Sequence, residues 1–258
     1  MSVNTDPVTF SRDGSVATVC MQGRHGNALN LDLLRGLGEA FSGAAADPRV
    51  RGVLLTSAGK LFSPGLDLHE LLPLERPAMN DFMALFASTL LDLYAFPKPV
   101  VAALTGHAVA GGCVLALTAD LRVLRRGAQI GLNEVKVGVP LPYGVTQLLR
   151  ETVHRPALTE VALLGRNFSN DEAVAAGLVH AVQDEDRLQP FCREQLDRFC
   201  NRGAMALTRT KSYLHQAAVE RIRAHDNAHR DEFLDCWFAP ETRRRIEEIV
   251  TSLTTRNG

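Results

Sequence analysis

Leu61-Phe62-Ser63-Pro64-Gly65-Leu66-Asp67, Ala110-Gly111-Gly112-Cys113 and Ile130-Gly131-Leu132-Asn133-Glu134 are the stretches on which the reading of this chain turns. In the first, Pro64-Gly65 makes a tight turn and the residues after it can open a helix, which leaves the Leu66 N–H without an intrahelical partner. Taken alone, that is an ordinary turn into a helix. In the second, two adjacent residues without side chains let a ligand touch backbone, and the apolar helix behind them puts its positive dipole end there. Close helix-to-sheet packing selects glycine as well. Taken jointly, the two elements can supply two N–H donors to one oxygen, an oxyanion hole in which a single donor typically contributes roughly 2.7–4 kcal/mol. The third ends an apolar strand on Glu134, a candidate base beside that oxygen; read alone, Glu134 is a solvated carboxylate at a strand end.

Around these elements strands and helices alternate. Val16–Met21 and Arg51–Thr56 have strand character, while Asn30–Phe41 repeats Leu31, Leu33, Leu34, Leu37 and Phe41 at helical spacing with Asn30 as its cap. A short helical stretch is expected after Asp67, then a helix over Asn80–Tyr94 stopped by Pro97, a strand Pro99–Leu104, a helix Gly111–Leu117 and a strand Ala128–Leu132. Helices are expected over Gly144–Val153, over Ala157–Leu164 closed by Gly165, and over Asp171–Ala176 capped by Asn170, with a strand Leu178–Val182 following. Such alternation predicts an α/β fold whose sheets are largely parallel and covered by helices. After Asp184 only helices are expected, over Phe191–Phe199, Ala204–Ala218 and Thr242–Leu253, so residues 1–195 read as the core and 196–258 as a helical C-terminal region.

Composition narrows the function classes. With 28 basic and 29 acidic residues in 258, the chain has no electrostatic footprint for nucleic acid or an anionic membrane. Its five cysteines show no paired spacing, so reduced thiols, no metal and a cytoplasmic location are expected. The polar opening Met1–Ser15 lacks the layout of a signal peptide, and Gly106, Gly111, Gly112 and His107 break up the apolar run Pro99–Ala119, so no membrane span is expected. Arg243-Arg244-Arg245 is followed by Glu247 and Glu248 at helical pairing distance.

Together with Gly23-Arg24-His25-Gly26-Asn27-Ala28-Leu29 and the Asn170–Val182 segment, the three elements resemble the enoyl-CoA hydratase/isomerase (crotonase) superfamily over most of the chain. The resemblance implies a spiral of ββα turns followed by helices that support a homotrimer or a dimer of trimers. It implies an acyl-CoA thioester substrate, with coenzyme A arriving as part of the substrate and no separate cofactor. The thioester oxygen would accept from the Leu66 and Gly111 N–H groups. Further substrate contacts are implied at Arg24, His25 and Asn27, at Ser63, Gly65, Asp67 and Leu68, at Val109, and at Pro140 and Leu141. Arg24 and Lys211 become candidates for the CoA phosphates. Asp67 is read as a charge favouring its helix start, His107 as satisfied by backbone, and Cys113 as a packed thiol.

Within that superfamily the residues separate two chemistries. Hydratases use two glutamates around the substrate to hold and activate water. Here the first of those positions is Val114 and the second is Glu134, and Pro140-Leu141-Pro142-Tyr143-Gly144 replaces the smaller glycine-rich stretch that leaves room for water. A single base suits the transfer of a proton from C2 to C4 of a 3-enoyl thioester, and Phe62–Leu68 and Ile130–Glu134 resemble the mitochondrial-type Δ3,Δ2-enoyl-CoA isomerases. The alternatives are a hydratase or another reaction of the superfamily, such as decarboxylation or thioester hydrolysis, and a catalytically silent acyl-CoA-binding protein.

Overall fold

In a computed structural model, residues 6–257 are described. Residues 1–5, part of the opening read as lacking a signal peptide, and Gly258 lie outside them.

The strands are β1 (Val8–Asp13), β2 (Val16–Met21), β3 (Gly52–Ser57), β4 (Leu61–Ser63), β5 (Val100–Leu104), β6 (His107–Val109), β7 (Leu121–Arg125), β8 (Gln129–Gly131), β9 (Asn167–Ser169) and β10 (Ala181–Gln183). They form a six-stranded sheet in the order β1-β2-β3-β5-β7-β10 and a four-stranded sheet in the order β4-β6-β8-β9. Among the described strands only the pairs β1–β2 and β8–β9 are antiparallel. The chain therefore spirals: β3 then β4, β5 then β6, and β7 then β8 each place one strand in the large sheet and the next in the small one.

Period-two alternation divides the large sheet between two cores. Val19, Val53, Leu55, Val100 and Leu104 enter the main core, under helices Leu31–Ala46 and Arg76–Tyr94. Val16, Leu54, Val101, Ala103 and Val123 face a second cluster made with Leu188, Cys192, Leu196 and Cys200 of helix Glu185–Cys200. A sheet buried on both faces is what parallel pairing demands, since helices must cover each side.

The small sheet positions the site. β4, β6 and β8 run parallel, so Pro64-Gly65, Ala110-Gly111 and Leu132–Glu134 leave its carboxyl edge side by side. Two backbones then approach until no side chain fits between them. Gly65, at φ +100°, would carry a Cβ 2.8 Å from the Ala110 Cβ and 3.0 Å from the Gly111 nitrogen, and a Cβ on Gly112 would collide with the Ser63 carbonyl oxygen.

Several expected elements differ from those found. Leu66 does not open a helix: it forms a parallel bridge with Leu29, and the helix begins at Leu68 with Asp67 as its cap. In place of a helix over Ala157–Leu164 there is a 3-10 turn, Arg155–Ala157, followed by a π-helical turn, Thr159–Leu163. Asn170 is not a cap; at φ +48° its side chain accepts from the Gly127 N–H at 2.9 Å. The strand expected at Leu178–Val182 pairs only from Ala181, after Leu178 has turned into the core. Helix Glu185–Cys200 runs through residue 195, because its apolar stripe is what covers the second face of the sheet. The helix begun at Ala204 continues to Trp237, and the last runs from Pro240 to Asn257. Among the described residues no helix is long and apolar enough to cross a membrane.

Gly112→Ala is expected to lower stability, since overpacking typically costs about 1–3 kcal/mol and the obstacle here is backbone. Gly38→Ala, within helix Leu31–Ala46 and with nothing near its would-be Cβ, is expected to gain about 0.5–1 kcal/mol. Thermal unfolding of the two variants checks this; equal shifts would contradict the crossing described.

Candidate active site

A cavity of about 590 Å³ opens along the carboxyl edge of the small sheet, lined by all three sequence elements. Leu66 and Gly111 meet there. Leu29 donates to the Gly65 carbonyl at 2.7 Å and accepts from the Asp67 N–H at 3.0 Å. In an extended segment successive N–H groups point to opposite sides, so the Leu66 N–H points away from Leu29. Gly111 starts its helix, so its N–H has no intrahelical acceptor. Ala110, the residue before it, sits at φ 49° and ψ −129°, a backbone conformation held against the preference of an L-residue. Two donors on crossing backbones can hold one oxygen atom.

Glu134 begins the one-turn helix Glu134–Val137 and lines the same cavity. The residue keeps some surface, but its Oε2 is out of solvent and without a hydrogen-bond partner. Burial pushes the carboxyl pKa up to about 7, partly offset by the backbone N–H groups of Glu134 and Asn133. Asp67, the other carboxylate on the lining, is differently placed. Its Oδ2 lies 2.8 Å from the His25 Nδ1, and its Oδ1 accepts from the His69 and Glu70 N–H groups. That is the helix-start role expected of it. Val114 brings an isopropyl group to the same wall.

The other expected contacts divide. His25 and Leu68 line the cavity, and Arg24 is exposed beside His25. Asn27 is fully engaged with backbone, accepting from the Gly23 N–H and donating to the Ala58 and Leu61 carbonyls, so it latches the loop and offers a ligand nothing. Ser63 and Gly65 lie beneath the surface as parts of the crossing, the Ser63 hydroxyl accepting from the Gly65 N–H. Val109 is likewise not on the lining, and in place of Pro140 and Leu141 the flanking Val139 and Pro142 are.

Lys211 is turned into the fold rather than toward the cavity. Its Nζ is buried 2.7 Å from the Asp120 Oδ2 and 3.1 Å from the Lys98 carbonyl, where burial lowers its pKa. His107 accepts from the Gln129 N–H, and Cys113 is a buried thiol whose pKa is raised by burial. Of the arginine triplet, Arg244 pairs with Glu248 and Arg245 pairs backwards with Glu241.

Sequence reasoning missed the far wall. Met83 and Phe86 come from the helix Arg76–Tyr94, Phe233 and Trp237 from the long helix, and Ile246, Ile249 and Leu253 from the last one. The i, i+4 and i, i+3 spacings of the last five are legible as apolar stripes. Which cavity they close is not.

The raised Glu134 pKa has a consequence for stability. Folding holds the proton more tightly than the unfolded chain does, so stability falls as pH rises from about 4.5 to about 7 and is level above. Glu134→Gln is expected to be more stable than wild type above pH 7 by up to roughly 3 kcal/mol, with the difference vanishing near pH 4. Urea unfolding at several pH values measures it, and a difference independent of pH would contradict the assignment.

Comparison with known proteins places the chain in a family. Curated relatives include the carnitinyl-CoA dehydratases of Salmonella paratyphi A and Salmonella enteritidis PT4, each 29% identical over 208 residues, covering 80% of this chain and 79% of theirs. Human mitochondrial Δ3,Δ2-enoyl-CoA isomerase superposes with a TM-score of 0.92 at 27% identity, covering 98% of this chain and 100% of that one. The enoyl-CoA hydratase EchA3 of Mycobacterium ulcerans Agy99 superposes at 0.83 with 28% identity, over 88% of this chain and 98% of its own. The profile of the enoyl-CoA hydratase/isomerase family matches residues 11–244, and the chain belongs to that family.

Proposed function

We propose that the protein moves the double bond of a 3-enoyl-CoA to the 2-position, with Glu134 as its single acid/base. The Glu134 carboxylate takes a proton from C2, the electron pair passes through the carbonyl to the thioester oxygen, and the Leu66 and Gly111 N–H groups hold that oxygen as a dienolate. The carboxyl then returns the proton to C4 and the C2=C3 bond forms. Nothing is gained or lost overall.

The observation that carries this reading is the unpartnered Glu134 Oε2 in a cavity whose other carboxylate, Asp67, is committed to His25 and a helix start. A pKa near 7 lets one carboxyl both take and return a proton at neutral pH. Val114 and the apolar wall leave little to hold a water molecule. Arg24 is the remaining candidate for a CoA phosphate. A homotrimer or dimer of trimers fits the exposure of Leu163, Leu164, Met205, Tyr213 and Leu214, and a cytoplasmic location fits the five free cysteines.

A second reading, hydration or dehydration of the acyl chain, is favoured by the names of the Salmonella relatives. Separate assays with 3-enoyl-CoA and 2-enoyl-CoA distinguish the two. Conversion of the first without hydration of the second is expected; the reverse would sink the isomerase reading. Tight acyl-CoA binding without any turnover would mark a silent homologue. Glu134→Gln is expected to cost about 10²–10⁴-fold in kcat. Wild-type kcat/KM is expected to rise with pH and level off above about 7, because the base must be ionised; a flat profile would contradict it.

A further inference from the structure

Behind the acyl-CoA cavity lies a second, open groove of about 410 Å³ lined by Lys136, Val137, Arg245, Glu248, Ile249 and Ser252. Val137 and Ile249 line both spaces. We propose that this pair is the partition that sets how long an acyl chain the site accepts, and that the groove behind it is a latent extension of the acyl pocket. The inference rests on the acyl-CoA reading above and adds to it which residues limit the acyl chain.

Both residues are placed to do this. Val137 follows Glu134 at i+3 on the same one-turn helix, so it stands on the carboxylate's own face about one turn, roughly 5 Å, further along. Ile249 belongs to the stripe Thr242, Ile246, Ile249, Leu253 of the last helix. That stripe is fixed at its start, where the Thr242 hydroxyl donates to the Gly138 carbonyl at 3.3 Å and Gly138, at φ +96°, leaves no room for a Cβ. Burial then declines along it, from Ile246 at 0% exposed through half-buried Ile249 to Leu253 at 40%. The wall is closed where the helix is pinned and thin at Ile249. An apolar chain growing past Glu134 meets two aliphatic side chains with open space behind them, and that groove is edged by the charged groups of Lys136, Arg245 and Glu248, which an acyl tail can pass without burying.

Binding of saturated acyl-CoAs, which needs no turnover, tests this by calorimetry with hexanoyl-CoA and tetradecanoyl-CoA. Val137→Ala and Ile249→Ala, singly and together, are expected to raise the ratio of tetradecanoyl to hexanoyl affinity tenfold or more, the equivalent of burying about two further methylene groups. Ser252→Trp, filling the outer groove in the double variant, is expected to cancel the gain. An unchanged ratio, an equal change at both lengths, or a gain that survives Ser252→Trp would overturn the partition and leave the acyl-CoA reading standing. Wild type that binds neither acyl-CoA would remove both.

Discussion

The absence of side chains where the Ser63–Leu66 segment crosses Ala110–Gly112 is the constraint on which the rest of the site depends. Glycines at 65, 111 and 112 let one backbone lie on another, and that contact orients two N–H groups from segments far apart in sequence. Its support comes from either side. Leu29 bridges Leu66 from below, Asn27 ties its loop to Leu61, and Asn30 both caps the next helix and reaches Glu70 on the helix that Asp67 starts. The strained backbone of Ala110 is held by the same contacts, its N–H donating to the Gly131 carbonyl at 2.9 Å. The proposed donors and the proposed base thus hang from one small sheet, since Gly131 lies three residues before Glu134.

The electrostatics follow from what the surroundings do not supply. A carboxylate whose Oε2 is out of water and unpartnered loses solvation, and burial carries the Glu134 pKa to about 7 despite the backbone N–H groups of Glu134 and Asn133. Asp67, the residue directly after Leu66, is engaged on both oxygens, by His25 on one and by two backbone N–H groups on the other, whereas the Glu134 Oε2 has no partner. One cavity therefore holds two differently engaged carboxylates, one built into the frame and one with an oxygen left unpartnered.

Much of the fold was legible because strands β2, β3 and β5 and the helices around them carry strong apolar patterns. The short strands β4, β6 and β9 were not, since three residues give no periodicity and their pairing is set by the spiral. Glycine chemistry points to both proposed donors, and the short helix expected after Asp67 is found at Leu68–Leu71, but the Leu29 bridge that keeps Leu66 extended has no signal in the sequence. Lys211 shows the limit of reading charge from sequence. A lysine on a late helix is indistinguishable from a phosphate ligand until Asp120, distant in sequence, is found beside it. The far wall was out of reach for the same reason: Trp237 and Ile249 declare apolar stripes but not what those stripes face.

The most direct test of the central claim, one shielded carboxyl carrying one proton between two carbons, is the fate of deuterium placed at C2 of a 3-enoyl-CoA and turned over in ordinary water. The account predicts that part of the 2-enoyl product carries deuterium at C4, because Glu134 holds the proton out of solvent between the two steps. Product with no deuterium at C4 in any turnover, or product bearing oxygen from water, would contradict it.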